Sequence, residues 1–152
     1  MKNQVIKGMT MLLAAVAFSL VAAVATANAQ MTRMQTAYVP FEFTVGNETL
    51  PAGRYDVSQI TTGGRTVSVR NRQNGESAVR LTSLLKQYEP AKRSVLVFNK
   101  IGGSYFLSEV WLGGETDGRQ LLKSKAEDSV RHQIAMASPK HYERVEIVMY
   151  GR

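Results

Sequence analysis

From residue 37 onward, apolar and polar positions alternate in step with an extended chain. Val39, Phe41, Phe43 and Val45 interleave with Tyr38, Pro40, Glu42 and Thr44, the period of a strand with one buried face. Pro40 offers no amide donor, which predicts a strand lying at a sheet edge or beginning there. Gly46-Asn47 ends it, and Leu50-Pro51-Ala52-Gly53 forms a turn. Tyr55 to Gln59 alternates again. Thr62-Gly63-Gly64 reverses the chain into a strand over 66–71, and Gln73-Asn74-Gly75 reverses it into another over 77–83.

The loop between these last two strands can be chosen by comparing faces. A two-residue Asn-Gly turn sets Val69 opposite Arg80, mixing apolar and charged side chains. A three-residue loop, with Gly75 left-handed in a bulge, pairs Val69 with Val79 and Val67 with Leu81. It also gathers Ser68, Arg70, Arg72, Glu76 and Arg80 on the opposite face. The three-residue loop is therefore expected.

Residues 84–93 form a connection. Segments 94–99 and 105–112 are the most apolar after residue 30 and do not alternate cleanly, so both faces should be covered and both strands central. Residues 113–118 read as a loop. Ser124-Lys125-Ala126-Glu127 has capping-box spacing, and Val130, Ile134 and Ala137 follow at helical intervals. A helix of about three turns is expected, ending before Pro139. Residues 144–150 close the series as a strand with Val145, Ile147 and Met149 inward. The expectation is a mainly β domain: an antiparallel β-sandwich or a small, partly open barrel of about seven strands plus one short helix. A transmembrane barrel fits poorly, because the strands are short and their outer faces carry Glu42, Arg70, Arg72, Arg80 and Glu146.

The first thirty residues follow a different pattern. Lys2 and Lys7 precede an uncharged apolar run over 8–25, and Ala27-Asn28-Ala29 places small residues before Gln30. This reads as a cleavable secretory signal over 1–29, followed by a disordered lead-in over 30–36 and one β domain over 37–152. No transmembrane segment is expected after cleavage. Cleavage removes two of the nineteen Lys and Arg and takes the net charge from +7 to +5. The chain has no cysteine, so an exported domain would be held by packing alone, without disulfides. In an exported, periplasmic or extracellular protein the basic excess points to an anionic envelope component rather than to nucleic acid: lipid headgroups, lipopolysaccharide or acidic glycans. Solubility is the plainer account of the same charge.

Composition narrows the chemistry further. Thiolate nucleophiles and thiolate metal sites have no residues to build them. The two histidines, His132 and His141, lack a ligand spacing, and no cofactor motif is present. Ser83-Leu84-Leu85-Lys86 matches a Ser-x-x-Lys pattern, but the partner motifs of that enzyme class are missing. Glu109 is the one acid in a strand expected to be buried, so it should find a neighbouring Arg or Lys. Arg70, Arg72 and Arg80, extended by Arg65, could bind phosphate or carboxylate groups or simply form a solvated face. Tyr105, Phe106 and Trp111 share one strand and could line a pocket or simply fill the core.

Several blocks together resemble a family of small exported β-proteins of soil bacteria. They are Val39-Pro40-Phe41-Glu42-Phe43, Leu50-Pro51-Ala52-Gly53-Arg54-Tyr55, Tyr105-Phe106-Leu107-Ser108-Glu109-Val110-Trp111 and Leu122-Lys123-Ser124-Lys125-Ala126-Glu127. The resemblance covers most of residues 38–128 and carries no activity, ligand or site. The Leu-Pro-Ala-Gly-x-Tyr piece alone is similar to turns of transthyretin-like and carbohydrate-associated β-sandwiches, a likeness of turn chemistry. The expected function is that of an exported, non-enzymatic domain that binds or scaffolds within the cell envelope. The alternative is a carrier of a small apolar ligand, enclosing a pocket lined by Phe106 and Trp111. A hydrolase would need a second polar group converging on Glu109.

Overall fold

A computed structural model describes residues 34–59, 65–137 and 142–151. Among the described residues, ten strands and one helix run in the order β1 (Gln35–Val39), β2 (Phe43–Val45), β3 (Glu48–Leu50), β4 (Gly53–Gln59), β5 (Thr66–Asn71), β6 (Ser77–Lys86), β7 (Val95–Ile101), β8 (Ser104–Trp111), β9 (Asp117–Leu121), α1 (Lys125–Ala137) and β10 (Tyr142–Gly151). The sheet order is β3-β2-β8-β7-β10-β1-β4-β5-β6-β9, and β9 also pairs with β8. That last pairing closes an eight-stranded antiparallel barrel, with β2 and β3 as extra strands. Of the two expected architectures, the barrel is the one adopted. The secretory signal expected over 1–29, the 62–64 reversal and His141 lie outside the described residues.

Alternation builds the barrel wall. Ala37, Val39, Tyr55, Val57, Val67, Val69, Leu96, Phe98, Leu107, Val110 and Met149 belong to one buried cluster. Each such large side chain contributes on the order of 1.5–3 kcal/mol by leaving water. Phe43 meets Tyr55 edge-on at 5.0 Å between centroids and Phe98 at 5.2 Å. The β2–β3 hairpin therefore lays its apolar face, Phe43, Val45 and Leu50, onto the barrel interior.

β8 has neighbours on both edges along its length. It pairs with β7 on one edge; on the other, Glu109 to Trp111 pair with β9, and Phe106 pairs in parallel with Thr44 of β2. A bulge at Ser108, where Val97 opposes Glu109 and Phe98 opposes Leu107, marks the change of partner.

As expected, β7 is covered on both faces: Leu96 and Phe98 face the core, while Val95 and Val97 join Trp111 in a separate cluster. α1 begins as its capping spacing predicts, with the Glu127 amide donating to Ser124 Oγ at 3.0 Å. The Glu127 side chain is not used in the reciprocal half of a capping box. Buried, it accepts from Asn99 of β7 at 3.1 Å and from Arg131 at 3.1 Å. No helix among the described residues is long and apolar enough to cross a membrane.

Several expectations are corrected. The alternating stretch from residue 37 is two strands, because Pro40 ends β1 directly after Val39. β1 is not at an edge: it pairs with β4 and with β10. It starts at Gln35, so the lead-in expected over 30–36 gives up its last two residues to the sheet. β3 and β9 were not expected; β9 begins within what read as a loop, because Asp117-Gly118-Arg119-Gln120 has no apolar alternation.

The β5–β6 loop closes on Asn71 and Glu76 and so encloses four residues, 72–75, rather than three. Val69 opposes Ala78, Val67 opposes Arg80 and Thr66 opposes Leu81. The Asn71 amide donates to Glu76 O at 2.7 Å, and the Gly75 amide, at φ +77°, donates to Asn71 O at 3.1 Å. One step of register reverses every β6 side chain. Val79 and Leu81 are consequently outside, at 46% and 65% exposure, and Ala78 is the inward residue.

The loop is set by Asn71, whose buried side chain points the same way as Val67 and Val69. Its Oδ1 accepts from the Gln73 amide at 2.8 Å, and its Nδ2 donates to the Tyr55 hydroxyl at 3.1 Å. The Tyr55 hydroxyl donates in turn to Pro51 O. Burial pushes the Tyr55 phenol above its ordinary value of 10.0; the Asn71 hydrogen bond lowers it and the charge of Glu76 raises it.

Tyr55→Phe should cost about 1–2 kcal/mol in urea unfolding, because Asn71 and Pro51 lose a buried partner. Because the native phenol holds its proton more tightly than the unfolded one, its contribution is intact below pH 10.0 and fades as pH rises beyond it. Alkaline melting curves should show that loss in the wild type and a shallower one in the variant.

Candidate anion-binding face

The outer surface of β1, β4 and β5 is built from positions that alternate away from the core. In register, Tyr38 opposes Arg54, and Arg72, just past β5, donates its amide to Arg54 O at 2.9 Å. The next rung runs Thr36, Asp56, Arg70, Ser77. Cross-strand neighbours stand about 5 Å apart at Cβ, so Arg70 stands directly opposite Asp56 and Arg72 diagonal to it, while Arg54 shares the face two positions before Asp56 on β4.

Both oxygens of that carboxylate are engaged. Asp56 Oδ1 accepts from Thr36 Oγ1 at 2.9 Å, and Oδ2 pairs with Arg72 Nε at 3.4 Å. Arg54 and Arg70 are exposed and have no acidic partner among the described residues. A niche of about 190 Å³ lies among Asp56, Arg70, Asn71, Arg72 and Gly75. It has room for one phosphate or carboxylate group with accompanying water. Glu76, the nearest further acid along the chain, is held at the loop by a hydrogen bond from Asn74 Nδ2 at 2.8 Å. Tyr38 and Tyr150 stand exposed beside the arginines, at 61% and 69%.

The arginine set expected from sequence is thus brought together only in part. Arg70 and Arg72 share this face, while Arg80 is on the inner side of β6. It lies against Gly46 and pairs with Glu48 of the β2–β3 hairpin at 3.1 Å. The register step described above separates it from the others. Arg65 is exposed just before β5, without an acidic partner among the described residues. Arg54 and Asp56 were missed, although the alternation of Tyr55 and Val57 already assigns them to the polar face. The missing information was the register across β4 and β5.

Glu109 and Trp111 do meet, on the outer side of β8. Glu109 accepts from Trp111 Nε1 at 2.7 Å and from both terminal nitrogens of Arg144, at 3.2 and 3.1 Å. The expected basic partner is therefore Arg144, reached across β7 from β10. Phe106 is buried but also on the outer side of β8, opposite Asn99. Neither Phe106 nor Trp111 faces the barrel interior, where Tyr55, Phe43, Phe98 and Leu96 are fully buried.

Arg144→Ala leaves Glu109, with a side chain only 15% exposed, holding a charge against the indole NH alone. Denaturant unfolding should show a loss of about 1–3 kcal/mol. The double variant Glu109→Gln/Arg144→Ala should recover part of it, because the unpaired charge is then gone.

No family model, no curated protein and no solved structure matches this chain.

Proposed function

We propose that the chain is an exported, non-enzymatic binding domain whose outer β1–β4–β5 face takes anionic groups of a cell-envelope component. The observation that carries this reading is the gathering of Arg54, Arg70 and Arg72 on one outer face whose single carboxylate, Asp56, is already engaged by Thr36 and Arg72. Two guanidiniums are left to bind phosphate or carboxylate oxygens, each able to do so bidentately. The exposed rings of Tyr38 and Tyr150 add contact area for a sugar or a lipid headgroup beside the charges. Export rests on the pattern of residues 1–29, and the absence of cysteine suits a domain held by packing in an oxidising compartment.

The carrier reading draws less support. The two aromatics that would line its pocket project outward, and large apolar side chains occupy the barrel interior. A transmembrane role draws less still, since the charges lie on the outer wall and the apolar side chains within.

Calorimetric titration with lipopolysaccharide, and with phosphatidylglycerol and phosphatidylcholine vesicles, tests the proposal. Binding to the two anionic probes, and not to phosphatidylcholine, is expected at low salt and should vanish near about 1 M salt, where the screening length is about 3 Å. Arg54→Ala/Arg70→Ala should weaken it roughly tenfold or more. Arg80→Ala should leave it unchanged, because Arg80 is turned to the hairpin. Binding that survives high salt, or the loss of Arg54 and Arg70, would overturn the assignment.

A further inference from the structure

A second apolar cluster lies outside the barrel wall: Val95, Val97 and Trp111, with Leu85, Ala91 and Val148 packed against them. The connection between β6 and β7 runs alongside and is fastened to the β8–β9 turn. The Ala91 amide donates to Glu115 O at 2.9 Å, and Ala91 O accepts from the Gly114 amide at 2.8 Å. Between connection and strands lies a cleft of about 450 Å³, a size that suits a small molecule. Its apolar lining is Ala91, Val95 and Trp111; its charged lining is Lys92, Arg93, Arg144 and Glu146.

We propose that this cleft binds a small amphipathic carboxylate, its apolar body on Trp111 and Val95 and its charge at Lys92 and Arg93. The ring that forms the floor is fixed in advance. Trp111 Nε1 is held by Glu109, and the indole lies over Gly118, where a Cβ would stand 2.6 Å from the ring. A site already ordered loses less entropy when it is filled.

The charges then select the ligand. Arg144 is engaged by Glu109 and also reaches Glu146 at 3.6 Å. Arg93 reaches Glu146 only at 3.7 Å, and Lys92 has no acidic partner among the described residues. That arrangement leaves positive charge for one anionic group and sets Glu146 against a second. A polyanion suits the arginine face; a monoanion with an apolar body suits the cleft.

Trp111 is the only tryptophan of the chain, so its fluorescence reports the cleft directly. Titration of the purified protein with octanoate should give a saturable emission shift, with 1-octanol and acetate each at least roughly tenfold weaker. Lys92→Ala/Arg93→Ala, both at exposed positions, should weaken octanoate roughly tenfold and leave 1-octanol unchanged. Arg54→Ala/Arg70→Ala should leave the octanoate response intact, which separates this site from the face proposed above. Equal affinity for octanoate and 1-octanol would overturn the proposal, as would an unaltered Lys92/Arg93 double variant. The absence of any saturable shift or calorimetric heat, or loss of the response with Arg54 and Arg70, would do the same.

Discussion

Asn71 occupies a position that alternation alone would give to a valine, and its amide makes the contacts a valine cannot. It is pinned between the Tyr55 hydroxyl and the amides of the loop that follows. Because a buried amide left without partners would cost several kcal/mol, the chain closes its loop around this side chain rather than around the best match of apolar residues. That choice fixes the β5–β6 register. The register sends Arg80 inward to the hairpin and leaves Arg70 and Arg72 outside with Arg54. The electrostatic character of the outer face thus follows from a hydrogen-bond requirement in the core.

A second constraint acts at the barrel seam. β8 must serve β7 along one edge while changing partner from β2 to β9 along the other, and the Ser108 bulge permits the change. Beyond the bulge, Glu109 and Trp111 share the outer side of the strand, and Gly118 opposite leaves space for the indole. The same seam therefore produces the second apolar cluster and the cleft beside it. An extended hydrogen-bonded line, Trp111 to Glu109 to Arg144, ties β8 to β10 across β7 and stiffens that wall.

Much of this was legible in the residues. Alternation located the inward faces of β4, β5 and β10, the two-sided apolar runs identified β7 and β8 as covered strands, and Ser124 marked the start of α1. What escaped was information held jointly by distant segments. β9 has no apolar signature of its own; it exists because β6 and β8 present edges on either side of it. The face of Arg80 depended on a loop one residue longer than side-chain matching suggested, and Asn71 was read as strand rather than as the organiser of a turn. The need of Glu109 for a cation was legible, but its identity was not, because Arg144 lies thirty-five positions away on β10, which is brought near β8 only by pairing with the far edge of β7.

The placement of β1 has a kinetic corollary. β1 sits between β4 and β10, with Gln35 paired to Gly151, so the wall is completed by a contact between the first and the last of the described strands. Contacts that distant carry a large loop-closure entropy and form late. Until β10 arrives, β7, the most apolar strand, has one open edge and β1 another, and such edges invite pairing with other chains. The polypeptide is therefore most vulnerable to aggregation just before its last strand docks, and β10 acts as the latch that ends that interval.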